Sequence, residues 1–275
     1  MASKPQTPQK KETIADLWPG QSVELLKALH ILTRDGALNA DSRRKLKQVL
    51  HLVQLLRAPL DRLFETNEAP RLADLGAGKS YLGFILYDLI FAPKGRGEVI
   101  AVETRGPLME GAERLARESN FDRMRFHAGT IADTKLDGDI DMVTALHACD
   151  TATDDAIRFA LRHKARVIAL VPCCQAELSR ALEHEGKHPL HQLWRHPIQR
   201  REFASNLTNV IRALYLESQG YKVRVTEMVG LEHSLKNELI LAERHQLSNA
   251  QAKGELVTLL KQLPARPALV ADIAT

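Results

Sequence analysis

The sequence predicts an α/β fold built on a mostly parallel sheet, and two segments predict it. Residues 71–75 form a short apolar run, which passes through Asp74 into a turn with two glycines and then into an apolar helical segment. A second apolar run at residues 98–102 ends at Glu103, 25 residues beyond Gly78. This succession of strand, turn, helix and strand is typical of nucleotide-binding α/β units.

The turn at residues 76–78 is suited to ligand binding. Gly76 and Gly78 carry no side chains, so a ligand can approach the backbone closely. The helix that follows offers its unpaired N–H groups and the positive end of its dipole. Asp74 ends the strand, and its carboxylate is expected to face the turn and accept hydrogen bonds from an ammonium group or water. The sequence therefore predicts a nucleotide-like ligand at this turn.

Two other nucleotide motifs overlap the same turn, and their context excludes them. Ala73 with Gly78-Lys79-Ser80 fits a relaxed phosphate-loop pattern, but its strand would be residues 68–72, which are polar and include Pro70. The dinucleotide pattern G-x-G-x-x-G fails because Tyr81 stands at the third glycine position. The pattern that remains is Asp-x-Gly-x-Gly.

Glu103 indicates how the ligand is held. An acidic residue that ends the second strand of such a unit accepts hydrogen bonds from the hydroxyl groups of a bound ribose. Charge-assisted hydrogen bonds of this kind are each worth about 1.5–3 kcal/mol. We therefore expect Glu103 to contribute strongly to the affinity for a nucleoside cofactor.

With these motifs the chain resembles the class I S-adenosylmethionine-dependent methyltransferases. The resemblance implies a Rossmann-like, seven-stranded, mostly parallel sheet with helices on both faces, plus an N-terminal helical extension. It implies S-adenosyl-L-methionine as the cofactor, bound by Asp74, Gly76, Gly78, Glu103 and Asp133. Asp133 follows the third strand, where this family usually contacts adenine. The remaining strands are expected at residues 124–130, 141–146, 166–171, 221–227 and 237–242.

Four motifs in order narrow the resemblance. They are Gly-Ala-Gly-Lys at 76–79, Leu-His-Ala-Cys-Asp at 146–150, Pro-Cys-Cys at 172–174 and His-Ser-Leu-Lys-Asn at 233–237. They are similar to a subfamily that includes eukaryotic tRNA 2′-O-methyltransferases and methyltransferase-like proteins, over roughly residues 40–245. The resemblance implies an RNA substrate, either tRNA or rRNA. The alternatives are a ribosomal or translation-related protein substrate, and a non-catalytic scaffold that binds the cofactor or RNA.

The ends of the fourth and fifth strands hold the candidate catalytic residues, because side chains there point into the same crevice as the glycine turn. His147 and Asp150 are expected to assist removal of a proton from the acceptor. Cys173 is a candidate nucleophile, which formation of 5-methylcytosine would require, although the resemblance to ribose methyltransferases does not favour that route. Packing is the alternative role for Cys173 and Cys174, and orienting the loop by a hydrogen bond is the alternative for His147.

Composition indicates one soluble, enzyme-sized domain with helical additions. The 275 residues are 44% hydrophobic and 26% charged, enough to bury a sizeable core. The net charge of +4 and pI of 9.0 are mildly basic, which is compatible with an RNA partner. No apolar run is long enough to cross a membrane. The lack of a signal-peptide pattern and the odd set of three cysteines favour a cytoplasmic protein.

Four parts are expected along the chain, and the sequence leaves the oligomeric state open. They are a disordered tail at residues 1–20, an N-terminal helical extension at 21–66, the methyltransferase domain at 67–245, and a C-terminal helix and tail at 246–275. Apolar residues at helical spacing predict a helix after the capping candidates Asn39, Asp41 and Ser42, and Pro59 is expected to bend or end it. Its basic residues at 43–47 form either a solvated surface or a patch that contacts RNA.

Residues 183–202 contain four histidines, Trp194 and several arginines, and are expected to overhang the open end of the sheet. The histidine spacing fits no tight zinc ligand set, so we predict no metal site. One interpretation is a segment that gates the substrate, with Trp194 and the arginines available for stacking and phosphate contacts. The other is an irregular surface loop.

Overall fold

The computed structural model describes residues 18–37, 39–146, 148, 150–172, 175–228 and 238–274. Within these ranges the chain forms a seven-stranded sheet with helices on both faces, which confirms the predicted fold class. The strands are β1 (Arg71–Leu75), β2 (Glu98–Glu103), β3 (Met124–Ala128), β4 (Met142–Leu146), β5 (Val167–Val171), β6 (Tyr221–Glu227) and β7 (Glu238–Arg244). The helices are α1 (Val23–Ala28), α2 (Ala40–Thr66), α3 (Tyr81–Leu86), α4 (Ala92–Lys94), α5 (Gly106–Glu118), α6 (Thr151–Arg162), α7 (Glu177–Leu182), α8 (Pro197–Ser218) and α9 (Ala250–Lys261).

The strand order is β3-β2-β1-β4-β5-β7-β6. Strands β1 to β5 run parallel, whereas β7 is antiparallel to both β5 and β6. The carboxyl ends of β1 to β5 therefore lie along one edge of the sheet, which we call the carboxyl edge. From the centre of the sheet, β1, β2 and β3 are added in turn toward one side, and β4 and β5 toward the other. Ligands of open α/β sheets bind in the crevice at such a switch point, here between β1 and β4.

Two apolar cores cover the two faces of the sheet, because alternate residues of a strand point to opposite faces. Leu72 of β1 belongs to the core that packs α1, α2, α3 and α5. Ala73 belongs to the core that packs α6 to α9. Since both faces are buried, the central strands consist mainly of apolar residues. None of the described helices combines the length and apolar composition that crossing a membrane requires.

Helix α2 begins after Asn39, the first of the three predicted capping candidates, and continues through Pro59. The side chain of Asn39 accepts a hydrogen bond from the N–H of Ser42 and caps the helix. Pro59 does not end the helix, which runs on to Thr66. Proline removes one backbone hydrogen bond, but buried side chains that follow it, such as Phe64, pack on the core of the sheet and hold the last turns helical.

The prediction that Trp194 is available for stacking on RNA is wrong. Its side chain is 1% exposed and packs against the rings of Phe203 and His188, with centroids 5.5 and 5.3 Å away. Burying the large indole ring is favourable, so Trp194 packs in the interior even though its neighbours in sequence are polar. The following helix α8 begins at Pro197, because proline fits the first turn of a helix.

Gly220 makes the tight connection between α8 and β6, and its replacement tests the packing of that turn. Its φ is +86°, and a Cβ atom there would overlap the backbone of Gln246. We expect Gly220→Ala to lower the free energy of unfolding by about 2 kcal/mol or more, from left-handed strain plus this overlap. Denaturant unfolding measures the change.

Gly254→Ala is the matched control for this prediction. Gly254 lies inside α9 with no atom near its prospective Cβ, so alanine should be neutral or stabilise the protein by up to about 1 kcal/mol. Equal stability of the Gly220→Ala variant and the wild type would contradict the expectation.

Candidate active site

The glycine turn lies at the carboxyl edge, between β1 and α3. Gly76 and Gly78 have φ values of +65° and +59°, a conformation that residues with side chains rarely adopt. The N–H of Ala77 donates to the carbonyl oxygen of Val102 at 3.0 Å, which ties the turn to the end of β2. Ala73, the first position of the rejected phosphate-loop pattern, lies inside β1. The phosphate-loop interpretation therefore does not fit the structure.

Glu103 lies against this turn. Its Oε2 atom accepts a hydrogen bond from the N–H of Gly78 at 2.8 Å, and its Oε1 atom accepts from Thr104 Oγ1 at 3.0 Å and Arg105 Nε at 2.9 Å. Burial alone would raise the pKa of Glu103, but the hydrogen bonds from Arg105, Gly78 and Thr104 outweigh it and lower the pKa to about 2. The carboxylate is therefore ionised at neutral pH and can accept hydrogen bonds from hydroxyl groups.

Arg105 is a site residue that the sequence analysis missed. Its guanidinium donates to both oxygens of Glu103, and a Cβ on Gly78 would lie 3.8 Å from Arg105 Nη2. Arg105 therefore covers the carboxylate and the turn, and a ribose would have to displace it from at least one oxygen. The only sequence signal was a basic residue two positions after the acidic end of β2.

Asp74 lies behind the turn and is 2% exposed. Its Oδ1 atom accepts a hydrogen bond from Thr144 Oγ1 at 2.8 Å, and the carboxylate also accepts from the backbone N–H of Gly83. Burial raises the pKa of Asp74 to about 6, and these two hydrogen bonds offset part of the effect. Asp74 thus joins β1, β4 and α3. Its contact with a cofactor ammonium group stays a prediction.

Asp133 lies in the loop after β3, and this loop approaches the glycine turn through a neighbouring residue. Asp133 is exposed, and its Oδ2 atom accepts a hydrogen bond from Thr130 Oγ1 at 2.7 Å. A Cβ placed on Gly76 would lie 3.7 Å from Ile131 and 3.9 Å from Ala148. The loops after β3 and β4 therefore approach the bare turn, and Ile131, in the segment after β3 that the resemblance assigns to adenine contact, supplies an apolar wall. The contact of Asp133 with adenine stays a prediction.

Asp150 connects the loop after β4 to the segment that follows β5. Its Oδ1 atom accepts hydrogen bonds from the N–H groups of Ala176 and Glu177, both at 2.9 Å, and its Oδ2 atom accepts from Arg180 at 3.0 Å. Burial acts to raise the pKa of Asp150, but the hydrogen bonds from Glu177, Arg180 and Ala176 lower it overall. A general base works best with a pKa near the operating pH. This geometry therefore favours a loop-holding role for Asp150 over direct proton removal.

The other predicted catalytic residues, His147 and Cys173, lie outside the described residues, as do Cys149, Cys174 and the motif at 233–237. Their flanking residues are described. Leu146 and Val171 pair in register at the carboxyl ends of β4 and β5. The roles of His147 and Cys173 stay predictions.

A buried ion pair supports the loop after β4. Arg212 of α8 donates from Nε to Asp154 Oδ1 at 2.6 Å, and both side chains are 1% exposed. Arg212 also donates from Nη2 to the carbonyl oxygen of Asp150 at 2.9 Å. Asp150 has a φ of +51°, which is strained for a residue with a side chain, so this contact helps to hold an unfavourable backbone. Nothing in the local sequence of α8 distinguished Arg212.

The chain matches a protein family described as a methyltransferase domain over residues 44–181, which is half of its length. No curated protein matches it. Among solved structures it is similar to a magnesium protoporphyrin IX methyltransferase from Synechocystis PCC 6803 with bound SAH, at 16% identity and a TM-score of 0.46 over 80% of this chain and 94% of that one. It is also similar to an rRNA methylase from Streptococcus thermophilus, at 10% identity and a TM-score of 0.44 over 66% of this chain and 89% of that one. These structural similarities are too weak to indicate an acceptor.

Replacing Thr144 tests the buried environment of Asp74. Thr144→Val keeps the shape and removes the hydroxyl donor, so we expect the free energy of unfolding at pH 7 to fall by about 1–3 kcal/mol. Because the folded-state pKa of Asp74 is raised from 3.8 to about 6, its stabilising contribution is complete below pH 3.8 and is lost as the pH rises through 6. Without the hydroxyl this pKa should rise further, which moves the loss to higher pH.

Denaturant unfolding between pH 4 and pH 8 measures both effects. Thr144→Ser keeps the hydroxyl and should retain the pH profile of the wild type. Superimposable profiles for Thr144→Val and the wild type would show that the hydrogen bond to Asp74 has no energetic role.

Proposed function

We propose that this chain, which belongs to the methyltransferase-domain family and is an S-adenosylmethionine-dependent methyltransferase, methylates RNA, either tRNA or rRNA. S-adenosylmethionine supplies a methyl group on a positively charged sulfur, which makes the methyl carbon electrophilic. The chain then has to bind this cofactor, align the acceptor and receive its proton.

The residues around the glycine turn fit the cofactor. Glu103 is ionised and held beside the bare backbone of Gly76 and Gly78, as a ribose diol requires. Ile131 offers an apolar contact for an adenine ring, and Asp133 lies in the same loop. In this proposal these residues hold the nucleoside, and Asp74 fixes the turn from behind.

The observation that carries the RNA proposal is the ring of basic side chains at the carboxyl edge. Lys79 follows β1, Arg105 follows β2, and Arg180 and Arg195 follow β5, and all four are exposed. Arg105 and Arg180 pair with Glu103 and Asp150, which neutralises part of their charge. Phosphate groups of RNA are attracted to such a rim, and exposed cations contribute most of the salt-dependent affinity of nucleic acid complexes. The crevice between β1 and β4 opens at the same edge.

The catalytic roles follow from position on this edge. We assign acceptance of the substrate proton to His147, at the end of β4, and positioning of its loop to Asp150. The lowered pKa of Asp150 makes it a weak base, while its hydrogen bonds connect the β4 loop to α7. Cys173 is required only if a pyrimidine carbon is methylated, because that reaction proceeds through a covalent thiolate adduct.

Glu103→Ala tests the cofactor site. Loss of charge-assisted hydrogen bonds to the ribose should weaken S-adenosylmethionine binding about 10- to 100-fold, as measured by calorimetry. Glu98→Ala is the control, since Glu98 pairs with Arg71 at the opposite end of β2 and should leave the affinity unchanged. An unchanged affinity of Glu103→Ala would remove Glu103 from the cofactor site.

Transfer of labelled methyl groups to total RNA and to total protein tests the substrate class. We expect the label in the RNA fraction, with RNA affinity that falls as salt rises.

Arg195→Ala should reduce the slope of log affinity against log salt by about 0.7–0.9, because one phosphate contact is lost. Lys253→Ala is the control. Because β7 runs antiparallel to β5, it ends at the edge opposite the carboxyl edge, and α9, which carries Lys253, follows it there. This variant should leave the slope unchanged. Label found only in the protein fraction would overturn the RNA proposal.

A further inference from the structure

A second cavity opens at the carboxyl end of β5, beside the crevice. Its volume is about 230 Å³, and it lies between the segment after β5, one face of α8 and the first residue of β7. The lining side chains are nearly all polar: Gln175, Glu202, Ser205, Asn206, Asn209 and Glu238. The four from α8 recur at positions 202, 205, 206 and 209, which is the spacing of one helix face. The sequence analysis did not single out any of these residues.

The polar wall is held in place by a chain of hydrogen bonds. Ser205 Oγ donates to Gln175 Oε1 at 2.7 Å, and Gln175 Nε2 donates to Asn209 Oδ1 at 3.3 Å. Asn209 Nδ2 donates to Glu238 Oε2 at 2.6 Å. Gln175, Ser205 and Asn209 are at least nine-tenths buried. A buried network of this kind fixes the positions of its members, so the cavity is preorganised for a ligand.

The chemistry of the lining selects a hydrogen-bond donor. Two carboxylates, Glu202 and Glu238, line the cavity, and no lysine or arginine is among the lining residues that the structure describes. Glu202 pairs with Arg201 at 3.2 Å, so Glu238 is the carboxylate without such a partner among the described ion pairs. Carboxylates repel phosphate and accept hydrogen bonds from amino groups. The cavity therefore differs from the basic rim beside it. Its volume lies below the usual range for sites that enclose a whole small molecule, so it suits a single ring system.

We propose that this cavity binds the amino-bearing edge of one unstacked nucleobase of the RNA acceptor. Cytosine, adenine and guanine carry an exocyclic amino group, whereas uracil does not. Glu238 accepts a hydrogen bond from the amino group, and the exposed amide of Asn206 donates to a neighbouring ring nitrogen or carbonyl oxygen of the base. RNA modules commonly read unpaired bases in this way, with hydrogen bonds to the base edge. The inference rests on the proposed RNA acceptor and adds its base preference.

The cavity also connects to the loop that positions the reaction. Arg212 donates from Nη1 to Asn209 Oδ1 at 3.3 Å and from Nη2 to the carbonyl oxygen of Asp150. One buried arginine thus holds both the wall of the base cavity and the end of the β4 loop.

Binding of short oligoribonucleotides to the full chain tests the proposal. Fluorescence anisotropy with labelled oligo(C) and oligo(U) compares two pyrimidines of equal size that differ at the amino position. We expect the wild type to bind oligo(C) about 5- to 100-fold more tightly. Glu238→Gln should bring the two affinities within about two-fold, because an amide offers both a donor and an acceptor. Its affinity for S-adenosylmethionine should not change, which shows that the variant is folded.

Glu118→Gln on α5 is the control, because it removes the same charge from an exposed position on the other face of the sheet and should retain the preference for oligo(C).

Equal binding of both oligonucleotides by the wild type, or an intact preference in Glu238→Gln, would overturn the base cavity and leave the RNA acceptor standing. Failure to bind either oligonucleotide, with normal cofactor binding, would overturn the RNA acceptor and this inference together. A lysine-rich peptide whose binding depends on Glu238, with oligonucleotide binding unaffected, would assign the cavity to a protein side chain instead.

Discussion

The hydrogen bond from the Gly78 amide to Glu103 is the contact on which the rest of the site depends. It joins residues 25 positions apart and sets an ionised carboxylate beside a stretch of backbone without side chains. The contact requires parallel pairing of β1 and β2, with Leu75 opposite Val102, so that the two strands end together. It also requires positive φ angles at Gly76 and Gly78. A change in register or a side chain in the turn would separate the carboxylate from the space it faces.

Three carboxylates at the carboxyl edge differ in behaviour because their surroundings differ. Glu103 receives several hydrogen bonds, including one from a guanidinium, and its pKa is lowered to about 2. Asp74 receives two neutral hydrogen bonds in the interior, and burial raises its pKa to about 6. Asp150 has a lowered pKa and spans two loops. A charged partner or a set of backbone donors therefore determines which of these carboxylates has a lowered pKa.

The carboxyl edge presents two kinds of surface to an acceptor. Exposed basic side chains after β1, β2 and β5 suit phosphate groups, while the cavity between α8 and β7 has carboxylate and amide groups and suits a base with an amino group. A polyanion attracted by the rim alone would bind without sequence preference. The proposed cavity adds a contact at a single base, so that affinity and specificity come from different residues. Both surfaces lie at the carboxyl edge, where β4 and β5 end.

The sequence by itself determined the strands, the glycine turn and the acidic end of β2, because apolar runs, bare glycines and a terminal carboxylate are local signals. It left open whether Pro59 bends or ends helix α2, and it gave no indication that Trp194 is buried or that Asp150 is bound by N–H groups of the next loop. Arg105, Thr144, Arg212 and the lining of the base cavity were likewise absent from the sequence analysis. Most of these contacts join residues that are dozens of positions apart, such as Thr144 with Asp74 and Arg212 with Asp154. Local periodicity determines which face of a helix or strand is buried. Only the packed tertiary structure decides which polar groups, distant in sequence, form hydrogen bonds with each other in the interior.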